Sequence, residues 1–145
     1  MLVPAKLLQL IIMSVKEDPI KLHKDAMALM ENGKYAEARD LFTKVADLYY
    51  KGQNYFGSAE MNYKAGECSF NLKDYTKAAE SFMKSADISL AKGFDRYALS
   101  ALENARDSQK ELGDEKEVDE INAKIVEIKK KLEPPEEESS FSVFG

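Results

Sequence analysis

The sequence predicts an all-α protein, a solenoid of three stacked helical hairpins, and three observations predict it. The segment Gly33-Lys34-Tyr35-Ala36-Glu37-Ala38-Arg39-Asp40-Leu41-Phe42 returns forty positions on as Lys73-Asp74-Tyr75-Thr76-Lys77-Ala78-Ala79-Glu80-Ser81-Phe82, with a weaker third copy from Gly113-Asp114. Turn signals, including Lys51-Gly52 and Lys92-Gly93, divide the chain about every 20 residues. Each interval carries apolar residues at helical spacing, and none shows the strict alternation of a half-buried strand. A fixed period of this length marks a repeat architecture, in which each unit buries its apolar face only by stacking on the next.

The elements follow in order. Residues 1–17 hold the apolar run Leu7–Met13 behind one positive charge, Lys6. The run is far shorter than the ~20 apolar residues of a spanning helix. Gln9 interrupts it and no small-residue cleavage pattern follows, so a secretory signal fits poorly. It reads as a short helix packing on the first repeat, or as residues ahead of a start at Met13; both leave the protein cytoplasmic. The repeat domain is expected over residues 18–133 as six main helices. Asp18-Pro19 opens the first, the aspartate as N-cap and the proline where a missing N–H costs nothing. In the second, Ala38, Leu41, Phe42, Val45, Leu48 and Tyr49 share one face. The third carries Gly66, a small residue that lets paired helices approach, and beside it Cys68, which reads as a small buried hydrophobe. The fourth repeats the second with Ala78, Phe82, Ala86 and Ile88. The last keeps a stripe of Val118, Ile121, Ile125, Ile128 and Leu132 but loses the aromatic positions, as a capping helix should. Short turns make neighbouring helices antiparallel, so the stack should enclose one continuous core and bend to leave a concave side. At two of the turns, Gly52 and Gly93 are expected to take the left-handed conformation that closes a helix. Residues 134–145 are proline-led, acidic and serine-rich, hence expected to be disordered. Within them Phe141, Val143 and Phe144 form an apolar motif suited to docking.

Composition excludes several function classes. The chain has 145 residues, enough for one domain. Lys and Arg number 21 against 26 Asp and Glu, a net charge of -5, which removes the attraction to phosphate backbones that nucleic-acid binding needs. One cysteine, Cys68, and one histidine, His23, permit neither an intrachain disulfide nor a zinc set, and no metal or cofactor is expected. Glu60, Glu67, Glu103 and Asp107 could hold magnesium or calcium through oxygen in an enzyme or enzyme-regulatory subunit. No phosphate-cradling loop or nucleophile-base pair accompanies them. The chain therefore reads as non-enzymatic.

The pattern Gly33, Tyr35, Ala38, Phe42, repeated as Tyr75, Ala78 and Phe82, resembles the tetratricopeptide (TPR) repeat. Ala26 and Gly66 stand at its small positions. The resemblance implies a right-handed solenoid that holds a partner segment in its concave groove. With a forty-residue period, the stretch Lys51–Asp87 is similar to the SNAP family of membrane-fusion attachment proteins, which implies, as an alternative, an adaptor in membrane trafficking on a peripheral membrane complex. That family presents a basic concave face and this chain is acidic, so the resemblance carries architecture rather than fusion activity.

The TPR resemblance places the groove on the first helix of each hairpin, with His23, Met27 and Met30, then Glu60, Tyr63, Glu67 and Phe70, then Glu103 and Asp107 as its candidate lining. Acids predominate, and a chaperone-type clamp for a terminal carboxylate would need lysines there. The expected ligand is a protein or peptide segment with basic and apolar residues; the opposing reading makes these acids a solvated face and the aromatics helix packing. Tyr49, Tyr50, Tyr55 and Phe56, near the turn between the first two hairpins, are expected to be inter-repeat core. Self-association, bridged by the apolar start or by residues 134–145, is a further expectation.

Overall fold

A computed structural model describes residues 2–134 of the chain. Among them lie seven helices: α1 (Ala5–Lys16), α2 (Pro19–Glu31), α3 (Tyr35–Lys51), α4 (Tyr55–Asn71), α5 (Tyr75–Ala91), α6 (Asp95–Leu112) and α7 (Glu115–Leu132). Six of these are the expected main helices; the seventh is α1. The segment with Phe141, Val143 and Phe144 lies outside the described residues. No described helix is long and apolar enough to cross a membrane.

The twenty-residue rhythm has one structural cause. Gly33, Gln53, Lys73, Gly93 and Gly113 all have positive φ, from 59° to 80°, so every helix from α2 to α6 ends on a left-handed residue at the same phase. The next N–H reaches back five residues each time: Lys34 to the Leu29 carbonyl (2.9 Å), Asn54 to Tyr49 (2.8 Å), Asp74 to Ser69 (2.9 Å), Phe94 to Ser89 (2.8 Å) and Asp114 to Gln109 (3.1 Å). This Schellman closure satisfies carbonyls that a helix end otherwise orphans. Gly52 departs from expectation: its φ is -82°, and Gln53 takes the left-handed position instead. Side-chain caps then start several helices. Asp18 accepts from Ile20 N–H at 3.0 Å, Asn54 from Gly57 at 2.9 Å, Asp74 from Lys77 at 3.3 Å and Asp114 from Glu117 at 3.2 Å.

Turns this tight make each helix from α2 to α7 pack extensively on its chain neighbours. Side chains join alternate helices into two layers. His23 meets Glu60 and Tyr63 meets Ser100 along α2, α4 and α6, while Arg39 meets Asp74 and Lys84 meets Asp47 between α3 and the start and body of α5. The repeated positions fill the interior: Ala38, Phe42, Ala78 and Phe82 are all buried. The core is two clusters rather than one continuous one. Phe42, Val45, Met61, Ala65 and Cys68 belong to the first; Phe82, Leu102, Ala105, Ile121, Ile125 and Ile128 to the second. Helix α4 serves both, with Met61 and Cys68 facing the first and Tyr63 and Phe70 packing on the second. In α1, Leu7, Leu8, Leu10 and Ile11 are about half exposed.

Candidate interaction face

The α2/α4/α6 layer carries most of the candidate residues because of helical spacing. On α4, Phe56, Glu60, Tyr63, Glu67 and Phe70 recur at intervals of three and four, which places them on one stripe. Tyr97, Ser100 and Asn104 make the matching stripe on α6. The two stripes meet through rings. Phe56 lies edge-on to Phe94 at 5.3 Å and against Tyr97 at 5.3 Å, and Tyr63 lies 5.6 Å from Tyr97 and 5.3 Å from the buried Phe82. Such offset and edge-to-face pairs are the favoured aromatic geometry. The Tyr63 hydroxyl is shared with Ser100 Oγ at 3.3 Å and accepts from Asn104 Nδ2, which in turn donates to the Ser100 carbonyl at 3.1 Å. Tyr63 is thereby fixed in position.

Carboxylates sit among these rings. Burial raises the Tyr97 phenol well above the usual tyrosine range, and the negative charges of Glu60 and Glu67 raise it further, with Tyr63 contributing between them. On the α2 side, His23 Nδ1 and Tyr49 Oη share a 2.9 Å hydrogen bond, with the rings edge-on at 5.9 Å, and His23 Nε2 lies 4.0 Å from Glu60 Oε1. The Tyr49 phenol is likewise raised, by burial first and then by Glu60 and Asp18. Glu60 thus stands between the two tyrosines, while Glu67 completes the acidic edge beside Tyr97.

The acids do not converge as a cation centre would require. Glu67 pairs with Lys64 at 3.7 Å, Glu103 with Lys129 at 3.7 Å and Asp107 with Arg106 at 3.4 Å. Among the described residues no three His, Cys, Asp or Glu side chains gather as a metal would need. Glu67 Oε1 is itself buried without a hydrogen bond, since the Lys64 ammonium stands at ion-pair rather than hydrogen-bond distance.

The remaining candidates divide. Met27 and Met30 are half-buried against the first core cluster, and Phe70 packs on the second and on Tyr75 at 5.1 Å, so these three belong to the edge of the core as much as to the face. Glu103 is turned to α7 through Lys129. The four aromatics expected to form one inter-repeat core are dispersed instead. Tyr49 joins His23, Tyr50 and Tyr55 contact each other across the turn at 5.2 Å, and Phe56 joins α6; Tyr50 is 51% exposed and Phe56 45%. Phe56, expected in the inter-repeat core, and Tyr97 and Asn104, not singled out by the sequence, therefore belong to the face. Their signal, where there is one, is positional: Phe56 lies four and seven residues from Glu60 and Tyr63 on α4, and Asn104 three from Asp107 on α6. Cys68 is fully buried, and burial pushes its thiol from 9.0 up to about 11, far from a reactive thiolate. No protein-family model matches the chain, and no curated protein matches it.

Proposed function

We propose that the chain is a non-enzymatic interaction scaffold, a TPR-like right-handed solenoid that holds a partner segment with basic and apolar residues on the α2/α4/α6 face. One observation carries this: along α4 and α6 the rings of Phe56, Tyr63 and Tyr97 alternate with the carboxylates of Glu60 and Glu67 on a partly exposed surface. Rings present a negative face to a cation, an attraction of about 0.5–2 kcal/mol that a neighbouring carboxylate reinforces. Tyr63, locked by Ser100 and Asn104, has little rotamer entropy left to lose on binding. The burial of Ala38, Phe42, Ala78 and Phe82 and the evenly phased turns support the TPR-like reading of the frame.

The test is selection of displayed random peptides on the immobilised chain. Enriched sequences should combine lysine or arginine with aromatic or aliphatic residues, and Glu60→Lys with Glu67→Lys should abolish the enrichment while circular dichroism stays unchanged. Enrichment of acidic peptides, or enrichment indifferent to the double reversal, sinks the reading.

A further inference from the structure

A different side of the molecule carries a second recognition feature, independent of the α2/α4/α6 face. Where α5 ends, α6 begins and the last turns of α7 run past both, there is a cavity of about 610 Å³. Its apolar lining is Leu90, 37% exposed, and Ile128; Lys124, Lys130 and Lys131 surround them, with Asp95 and Glu127 as the only acids. Lys131 Nζ already holds Asp95 at 3.1 Å. That leaves Lys124 and Lys130 against Glu127, a local excess of positive charge on a chain whose net charge is -5. Other hollows differ: one between α3 and α5 balances Arg39 and Lys77 against Asp40 and Glu80, and one beside the α6–α7 turn is acidic, with Asp114, Glu115 and Asp119 facing Lys110.

The complementary chemistry is an acidic segment bearing bulky apolar side chains, and the chain itself supplies one. Residues 135–145 contain no lysine or arginine, three consecutive glutamates, Glu136 to Glu138, and then Phe141, Val143 and Phe144. They follow directly on the helix whose last turns line the cavity. At about 1.5 Å rise per residue, Lys124 lies only about 12 Å back along α7 from Leu132. Extended chain from residue 133 to Phe141 spans up to about 30 Å, ample to turn back over the groove. Glu133, at φ -66° and ψ 143°, already leaves the helix extended, as a residue before proline prefers. The size of the hollow falls in the range of about 300–1,000 Å³ that takes a ligand of one or two rings.

We propose that this groove between α5 and α7 is a docking site for an acidic, phenylalanine-bearing segment, and that its resident occupant is the chain's own residues 135–145. In this pairing Lys124 and Lys130 offer charge partners to the glutamates, and Leu90 and Ile128 an apolar seat for a phenylalanine ring. A partner segment of the same chemistry would have to displace it.

Two measurements on the full chain test the proposal. In limited chymotrypsin digestion followed by mass spectrometry, cleavage after Phe141 and Phe144 tracks the undocked population, so it should be roughly fivefold slower in the native chain than in Lys124→Glu with Lys130→Glu. High salt should raise the native rate towards that of the variant. Equal rates overturn the proposal. Independently, the amide resonances of Leu90 and Ile128 should move between the native chain and Phe141→Ala with Phe144→Ala, whose substitutions lie outside the seven described helices; unmoved resonances overturn it as well. Both effects should be independent of protein concentration. A protection that grows with concentration assigns the groove to a second copy's segment and overturns occupancy within one chain.

Discussion

At the scale of single residues, Gly66 is held by a close approach to a buried ring. A Cβ built there would lie 2.8 Å from the Phe82 ring, which is itself buried between repeats and has nowhere to move. Gly66→Ala should destabilise the chain by about 1–3 kcal/mol in urea unfolding, and Phe82→Leu added to it should return part of the loss. If Gly66→Ala alone leaves the midpoint unchanged, the close approach of α4 and α5 is not what the fold depends on. Cys68 sets a pH dependence. Its thiol titrates near 9.0 when exposed and near 11 when folded, so the unfolded chain releases its proton first. Stability from this group is full below pH 9 and is lost as pH rises towards 11. The raised Tyr49 and Tyr97 phenols act in the same direction. Urea midpoints should therefore fall between about pH 8 and about pH 10, and fall less in Cys68→Ala. The small buried position at Gly66 was legible from the repeat. The buried serines were not: Ser58 donates to the Ala46 carbonyl at 2.8 Å and Ser85 to the Ala59 carbonyl at 2.7 Å, each bridging two helices. A hydroxyl of alanine-like size passes for solvent-facing in sequence, although both serines sit beside alanines that are buried.

At the scale of elements, five identical turns explain the period better than any motif does. The left-handed position tolerates glycine best, because a Cβ there crowds the next carbonyl by roughly 1–2 kcal/mol. Gly33, Gly93 and Gly113 comply, whereas Gln53 and Lys73 bear the strain. Lys73→Gly should accordingly stabilise thermal unfolding by up to about 1 kcal/mol, and Gly93→Ala should destabilise by a similar amount. Opposite signs for the pair identify the turn as the cause; the same sign for both would refute it. The turn spacing and the Asp18 cap were readable for this reason, since both are local, whereas the caps at Asp74 and Asp114 emerged only with the fold. Gly52 misled because the turn needs its left-handed residue one place later, a phase visible only across all five turns.

At the scale of the whole molecule, two core clusters joined through α4 imply unequal coupling. Met61→Ala in the first cluster and Leu102→Ala in the second should each cost about 2–5 kcal/mol. Repeat arrays transmit such losses chiefly to neighbouring units. In native-state hydrogen exchange, Leu102→Ala should loosen α5 to α7 more than α2 and α3, and Met61→Ala the reverse. Uniform loss of protection in both variants would show a single cooperative core. The candidate face is also a property of this scale: Glu60 lies 4.0 Å from His23 of α2, and Tyr63 is fixed by Ser100 and Asn104 of α6.

The helical class, the hairpin spacing, the buried Ala and Phe positions and the acidity of the first-helix face were all decided by the amino-acid order, because each depends on periodicity and local backbone chemistry. Which side chains meet was decided only by the packed fold. Phe56 and Tyr97, 41 positions apart, become neighbours once α4 and α6 lie side by side. The candidate acids scatter to separate partners, and α4 divides the interior between two clusters. Those outcomes depend on the rotation of one helix against another, which is set by ridge-into-groove packing over the whole stack and has no counterpart in any one segment of sequence.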